Sequence, residues 1–122
     1  MSAAAGRATL KYVLDHDLQG NAARMGARLI ERLGPVVDET DWIAELRGRG
    51  LMQALEMVQP GTTEPDPGIT ARLLDEAKAR GLLVGKGGLY GNVIRMAPML
   101  ATTESELDEG IDAMIGAIRA ID

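Results

Sequence analysis

The 122-residue sequence contains no cysteine and no phenylalanine, and only one histidine and one tryptophan. Without cysteine there is neither a disulfide framework nor a thiolate metal site. His16 stands alone, so a zinc site would have to be built from three or four carboxylates, and zinc chemistry is excluded as an expectation. With only Trp42, Tyr12 and Tyr90 aromatic, the core has to be assembled from Leu, Ile, Val, Ala and the seven Met. Basic charge is also short. The formal net charge is −5, and the ten Arg and three Lys are scattered, each near acidic neighbours. That argues against a nucleic-acid footprint, which needs clustered cations to displace phosphate counterions. No apolar run approaches the roughly 18 residues that span a bilayer, which argues against a membrane protein. The opening MSAAAGRATLKYVL has no basic start followed by a long apolar stretch, so it does not read as a secretory signal. A cytoplasmic location is the resulting expectation.

What is present is the composition of a globular domain, 46% hydrophobic and 25% charged. A chain of this length hides roughly two thirds of its unfolded surface on folding, enough for one core without staples, and residues 1–122 read as a single domain. An Ala-rich opening with Leu10, Val13 and Leu14 on one side predicts a helix over 3–15, with Ser2 as its cap. Asp17 offers a second cap. Leu18, Ala22, Met25, Leu29 and Leu33 then repeat at helical spacing, and Gly34-Pro35 is expected to stop that helix. Strands are predicted over 42–46 and 51–58, separated by Arg47-Gly48-Arg49-Gly50 as a turn or bulge. In the second, Leu51, Gln53, Leu55 and Met57 share one face and Met52, Ala54 and Glu56 the other. Two largely apolar faces point to a central strand.

The segment 59–67 holds three of the five prolines and no apolar residue, and so reads as an exposed connection. Asp66 and Pro67 supply the cap and first residue of a helix bearing Ile69, Leu73, Leu74 and Ala77, closed by Gly81. A short strand is expected over 82–84, a glycine turn over 85–91 and a strand over 92–96, ended by Pro98. Thr103 and Glu106 form a capping box for a last helix carrying Leu107, Ile111, Met114, Ile115 and Ile118. The predicted order is α-α-β-β-α-β-β-α, an α+β fold with helices covering a small, largely antiparallel sheet.

Arg95 leads the residues able to carry chemistry. If Ile94 and Met96 face the helices, Arg95 projects from the opposite side of its strand, where a guanidinium is a two-pronged donor suited to a carboxylate. From periodicity alone, a solvated arginine or a partner of some nearby Glu is the commoner outcome. Gly85-Lys86-Gly87-Gly88 lacks the spacing of a nucleotide phosphate loop, and a hairpin needing positive backbone angles explains its glycines better. Arg47 and Arg49 read as solvated turn residues, and His16 as a surface histidine beside a helix end. Asp75, Glu76, Glu104, Glu106, Asp108 and Glu109 read as solubilising charge on helix surfaces.

Two runs, ELRGRGLMQALEM at 45–57 and GLLVGKGGLYGNVIRMAPML at 81–100, give the chain a family resemblance that extends over nearly all of it. It resembles the C-terminal small domain of class III, subgroup II (omega-type) aminotransferases, pyridoxal-phosphate enzymes of fold type I, and is most similar to their alanine-glyoxylate and 4-aminobutyrate branch. The family pattern N-x-[IL]-R-x-x-P-P-L is matched by Asn92, Ile94, Arg95, Pro98 and Leu100, with Met99 in place of the second proline. The resemblance implies that Arg95 binds the carboxylate of an amino- or keto-acid substrate. It also implies a large pyridoxal-phosphate-binding domain as partner, in the same gene or another chain, which supplies the cofactor lysine. Lys11, Lys78 and Lys86 do not occupy that lysine's motif, so no catalytic residue, no cofactor-binding residue and no bound cofactor are expected in this chain alone. By itself it is expected not to transaminate, and an uncovered apolar face is expected to drive self-association. The rival reading is a free-standing α+β module that binds a small ligand or a protein without catalysis.

Overall fold

In the computed structural model, which describes residues 2–121, the chain forms eight elements. They are α1 (Ser2–Asp15), α2 (Leu18–Asp38), β1 (Ile43–Arg49), β2 (Met52–Met57), α3 (Pro67–Ala79), β3 (Gly85–Gly87), β4 (Val93–Met96) and α4 (Glu104–Arg119). The predicted element order and α+β class are those observed. The four strands run antiparallel in the order β1-β2-β4-β3, so two local hairpins, β1-β2 and β3-β4, are joined through their inner strands.

Strand β2 is central, as its two faces implied. Gln53, Leu55 and Met57 are buried while Met52 is 71% exposed, which sets the helix-facing side of the sheet apart from an outward side. On the inner side Leu46, Leu55 and Ile94 stand in one cross-strand row and pack with Leu33, Leu73, Met114 and Ile118. Met and branched aliphatics fill this core without any phenylalanine.

Local signals account for several boundaries. The Asp66 side chain accepts the Ile69 amide at 2.8 Å and Pro67 opens α3. Past Gly81, which has φ +81°, the Leu82 amide returns to the Ala77 carbonyl at 2.9 Å and closes that helix. At α4 the capping box is complete: the Glu106 amide donates to Thr103 Oγ1 at 3.3 Å, and the Thr103 amide donates to Glu106 Oε2 at 2.9 Å.

Five expectations need correction. Pro35 does not end α2; the helix runs on to Asp38 and buries Val36 and Val37, so packing of this last turn offsets the hydrogen bond that proline removes. Ser2 lies within α1 instead of capping it, and Asp17 stands at the α2 cap position in a left-handed conformation (φ 47°) with no side-chain cap bond. The first hairpin carries strand through Arg47, Gly48 and Arg49, leaving Gly50 and Leu51 as the turn. The third strand is Gly85–Gly87, not 82–84: Leu82 and Val84 pack on the core from irregular backbone, and Leu83 is 82% exposed.

Helices α2 and α4 are clamped by charges that looked merely solubilising in the sequence. Asp108 accepts from Arg28 Nε at 2.7 Å and Arg28 Nη2 at 2.6 Å, with Arg32 Nη1 at 2.9 Å, while Arg32 also reaches Asp112 at 2.6 Å. These guanidinium hydrogen bonds, Arg28's first and Arg32's second, hold the Asp108 carboxyl down from 3.8 to about 2. A depressed carboxyl stabilises the fold above its unfolded value and loses that contribution as pH falls through the folded one. Acidification from pH 4 to pH 2 is therefore expected to lower the urea midpoint more in the parent chain than in Asp108→Asn. Parallel midpoint curves over that window would remove Asp108 as the responsible group.

Candidate functional site

Arg95 occupies β4 between Ile94 and Met96, both buried, and is itself exposed. The alternation of a strand thus turns its side chain to the outward face, opposite the helical layer. Its cross-strand neighbours there are small, Ala54 on β2 and Gly85 on β3. A β-carbon added to Gly85 would lie 3.9 Å from Arg95 Nε, and one added to Gly87 would lie 3.9 Å from its Cγ and Cδ. The stem of Arg95 therefore lies over the glycines of β3. Among the described residues, the Arg95 side chain takes part in no hydrogen bond or salt bridge.

The strand is held at both ends by side-chain amides. Asn92 is 2% exposed; its Nδ2 donates to the Met57 carbonyl at 3.0 Å and its own carbonyl accepts the Met57 amide at 2.7 Å. Just before it, Gly88 turns at φ +82°, and a β-carbon there would meet Val93 Cγ2 at 2.7 Å, so the hairpin requires glycine at that position. After the strand, Asn21 of α2 donates to the carbonyls of Leu100 and Thr102 at 2.8 and 3.0 Å. The whole 92–102 segment is tied to β2 on one side and to α2 on the other.

Beside Arg95 opens a cavity of about 540 Å³ between α2, α4 and the end of the second hairpin. Its walls are mainly apolar, including Leu33, Leu82, Val84, Met99 and Met114. Arg95 and Glu106 are the two charged residues that line it. Glu106 is already committed: the Thr103 amide and hydroxyl, at 2.9 and 2.8 Å, hold its carboxyl below the usual range. The arrangement thus pairs an apolar hollow, which Arg95 helps to line, with one unengaged guanidinium on the outward face of the sheet that can be offered to an anion.

The remaining sequence candidates lie apart from Arg95 or are engaged elsewhere. Arg47 is exposed, as expected, but sits on β1 and not in a turn, and forms ion pairs with Glu45 and Glu56; the signal lay in the alternation of Glu45, Arg47 and, one strand over, Glu56. Arg49 is exposed at the end of β1. His16 Nδ1 lies 2.9 Å from the Tyr12 carbonyl, and its ring stacks on Tyr12 at the exposed end of α1. Of the lysines, Lys11 pairs with Asp15 at 2.5 Å, Lys78 is exposed in the last turn of α3, and the Lys86 side chain reaches over Gly91. None of the three lines the cavity.

Comparison with known proteins adds a family to this geometry. The profile described as "Aminotransferase class-III" matches residues 1–118. The chain is 38% identical over 120 residues to alanine–glyoxylate aminotransferase 2 homolog 2, mitochondrial, of Arabidopsis thaliana, covering 93% of this chain and 24% of that protein. It is 38% identical over 112 residues to the 4-aminobutyrate aminotransferase of Mycobacterium tuberculosis, covering 92% of this chain and 25% of that protein. Among solved structures, an amine transaminase from an uncultivated Pseudomonas species, in its pyridoxal-phosphate-bound form, superposes with a TM-score of 0.85 at 39% identity. That match covers 98% of this chain and 27% of the Pseudomonas chain. The chain thus spans about a quarter of the length of the curated relatives it matches. The class III expectation drawn from the two glycine- and arginine-bearing runs is met across the whole fold, and this chain belongs to the class-III aminotransferase family.

Proposed function

We propose that residues 1–122 are the C-terminal small domain of a pyridoxal-phosphate aminotransferase that moves an amino group between an amino acid or omega-amino acid and a keto acid. In this reading the domain closes over a cofactor site held by a separate large domain, and Arg95 binds the substrate carboxylate. The observation that carries it is Arg95 itself: an outward guanidinium with no ion partner among the described residues, inside the run from Asn92 to Leu100 that matches the family pattern. Charge-assisted, two-pronged recognition of a carboxylate suits a guanidinium better than any other side chain.

The residues present do not fit pyridoxal phosphate itself. No lysine amine enters the cavity, so no cofactor step is assigned to this chain and it is incompetent alone. Large apolar side chains stand in the open on several elements, among them Leu10, Met52, Leu89, Tyr90 and Met99. They form the surface against which a large domain would pack, and in its absence the chain self-associates. The cytosol is the proposed location; no described helix is long and apolar enough to cross a membrane.

The test joins this sequence to a large domain and compares Arg95→Met with the parent enzyme. Loss of a charge-assisted pair of about 3 kcal/mol is expected to cut kcat/KM for keto and amino acids by about a hundredfold. Amine donors without a carboxylate should be left nearly unaffected. An equal loss for both donor types would remove Arg95 from carboxylate binding. Tight calorimetric binding of small keto acids by the 122-residue chain alone would favour the free-standing module instead.

A further inference from the structure

Arg95 has a carboxylate one strand away and, among the described residues, pairs with none. On the outward face of the sheet, the registers Arg47↔Ala54 and Ala54↔Arg95 put these three residues in one cross-strand row. The adjoining row is Glu45↔Glu56↔Val93. Glu56 is therefore the diagonal neighbour of Arg95, a position about 7–8 Å away in antiparallel strands and within reach of two long side chains. A carboxylate whose side chain is only 32% exposed, one strand from a guanidinium, would ordinarily close that gap.

Glu56 is instead engaged by a second arginine. The Arg47 guanidinium pairs with Glu56 and Glu45 at once, and Asn92 Nδ2 takes the other Glu56 oxygen at 3.4 Å. On its far side, Arg95 lies over Gly85 and Gly87, leaning away from β2. Glu106, the other charged residue lining the cavity, is held by Thr103. We propose that Arg47 is a positioning residue for Arg95: by holding Glu45 and Glu56 it keeps the sheet's own carboxylates from occupying the guanidinium meant for an incoming acid. The inference rests on the reading of Arg95 as a carboxylate clamp and adds what keeps the clamp open.

The test needs no substrate. In the full chain labelled with 15N at arginine, the Arg95 Nε–H signal is assigned by its loss in Arg95→Lys. In Arg47→Met this signal should move and exchange with water several-fold more slowly, because Arg95 has closed on Glu56. In the triple variant Arg47→Met, Glu45→Gln, Glu56→Gln it should return to its parent position and rate. An unmoved signal in Arg47→Met, or a displacement that persists in the triple variant, overturns the proposal. Arg47→Gln, which keeps a polar side chain on β1, gives the same readout should the methionine variant not fold. A structural role for Arg47 would not predict rescue by removing the two carboxylates. Since neither measurement involves a ligand, failure here is distinguishable from failure of the clamp, which is read in the activity of Arg95→Met.

Discussion

Gly26→Ala is expected to destabilise the chain by about 3 kcal/mol, a large effect for one added methyl group. Gly26 is buried in α2, where the helix crosses the turn between β1 and β2. A β-carbon built there would sit 2.3 Å from the Gly50 carbonyl oxygen and 2.5 Å from its carbon. Both are backbone atoms, and no rotamer change can move them aside. Gly50 itself turns at φ +54°, so the hairpin has little room to give. Relief requires α2 to lift from the sheet, which uncovers Met25 and Leu29 as well. Urea denaturation measures the loss directly, and a change below about 1 kcal/mol would mean that helix and turn separate easily.

Leu55→Ala should cost a similar amount, about 2–5 kcal/mol, by the opposite mechanism. Leu55 is fully buried at the middle of the central strand, opposite Leu46 on one side and Ile94 on the other. Cutting it to alanine leaves a hole bounded by three strands and the helical layer, where the two hairpins meet and collapse is least free. Met52→Ala is the matched control, because Met52 lies on the same strand but is 71% exposed on the outward face. Its effect should stay within about 0.5 kcal/mol. Equal losses at the two positions would contradict the assignment of the inner face.

Where a signal is local and chemically specific, the sequence was legible. Thr103 with Glu106, and Asp66 with Pro67, marked helix starts because a cap involves neighbours only three residues away. The alternation along 51–57 separated the faces of β2 because a strand's period is two. The class of fold and the pattern around Arg95 could be read for the same reason.

What the sequence hid depends on partners far along the chain. Asp108 meets Arg28 across 80 positions, and no window on either helix contains both. The apolar residues 82–84 read as the third strand, yet pairing uses the glycines that follow, over which the stem of Arg95 lies. Pro35 is a reliable stop signal in isolation, yet Val36 and Val37 are worth more buried beyond it than the hydrogen bond it removes. Arg47 reads as a turn residue in the sequence because Glu56 reaches it only through a strand register that the sequence does not state.

The strand order has a further consequence for how copies of the chain can meet. Joining two hairpins through their inner members leaves β1 and β3 as the borders of the sheet. One border alternates Glu45, Arg47 and Arg49, and the other is three residues long with two glycines. Charged, short or glycine-rich rims are poor templates for main-chain pairing with a neighbour. Growth of the sheet from molecule to molecule is thereby discouraged, and any association is left to side-chain packing of broad surfaces, which can be undone without unzipping a ladder.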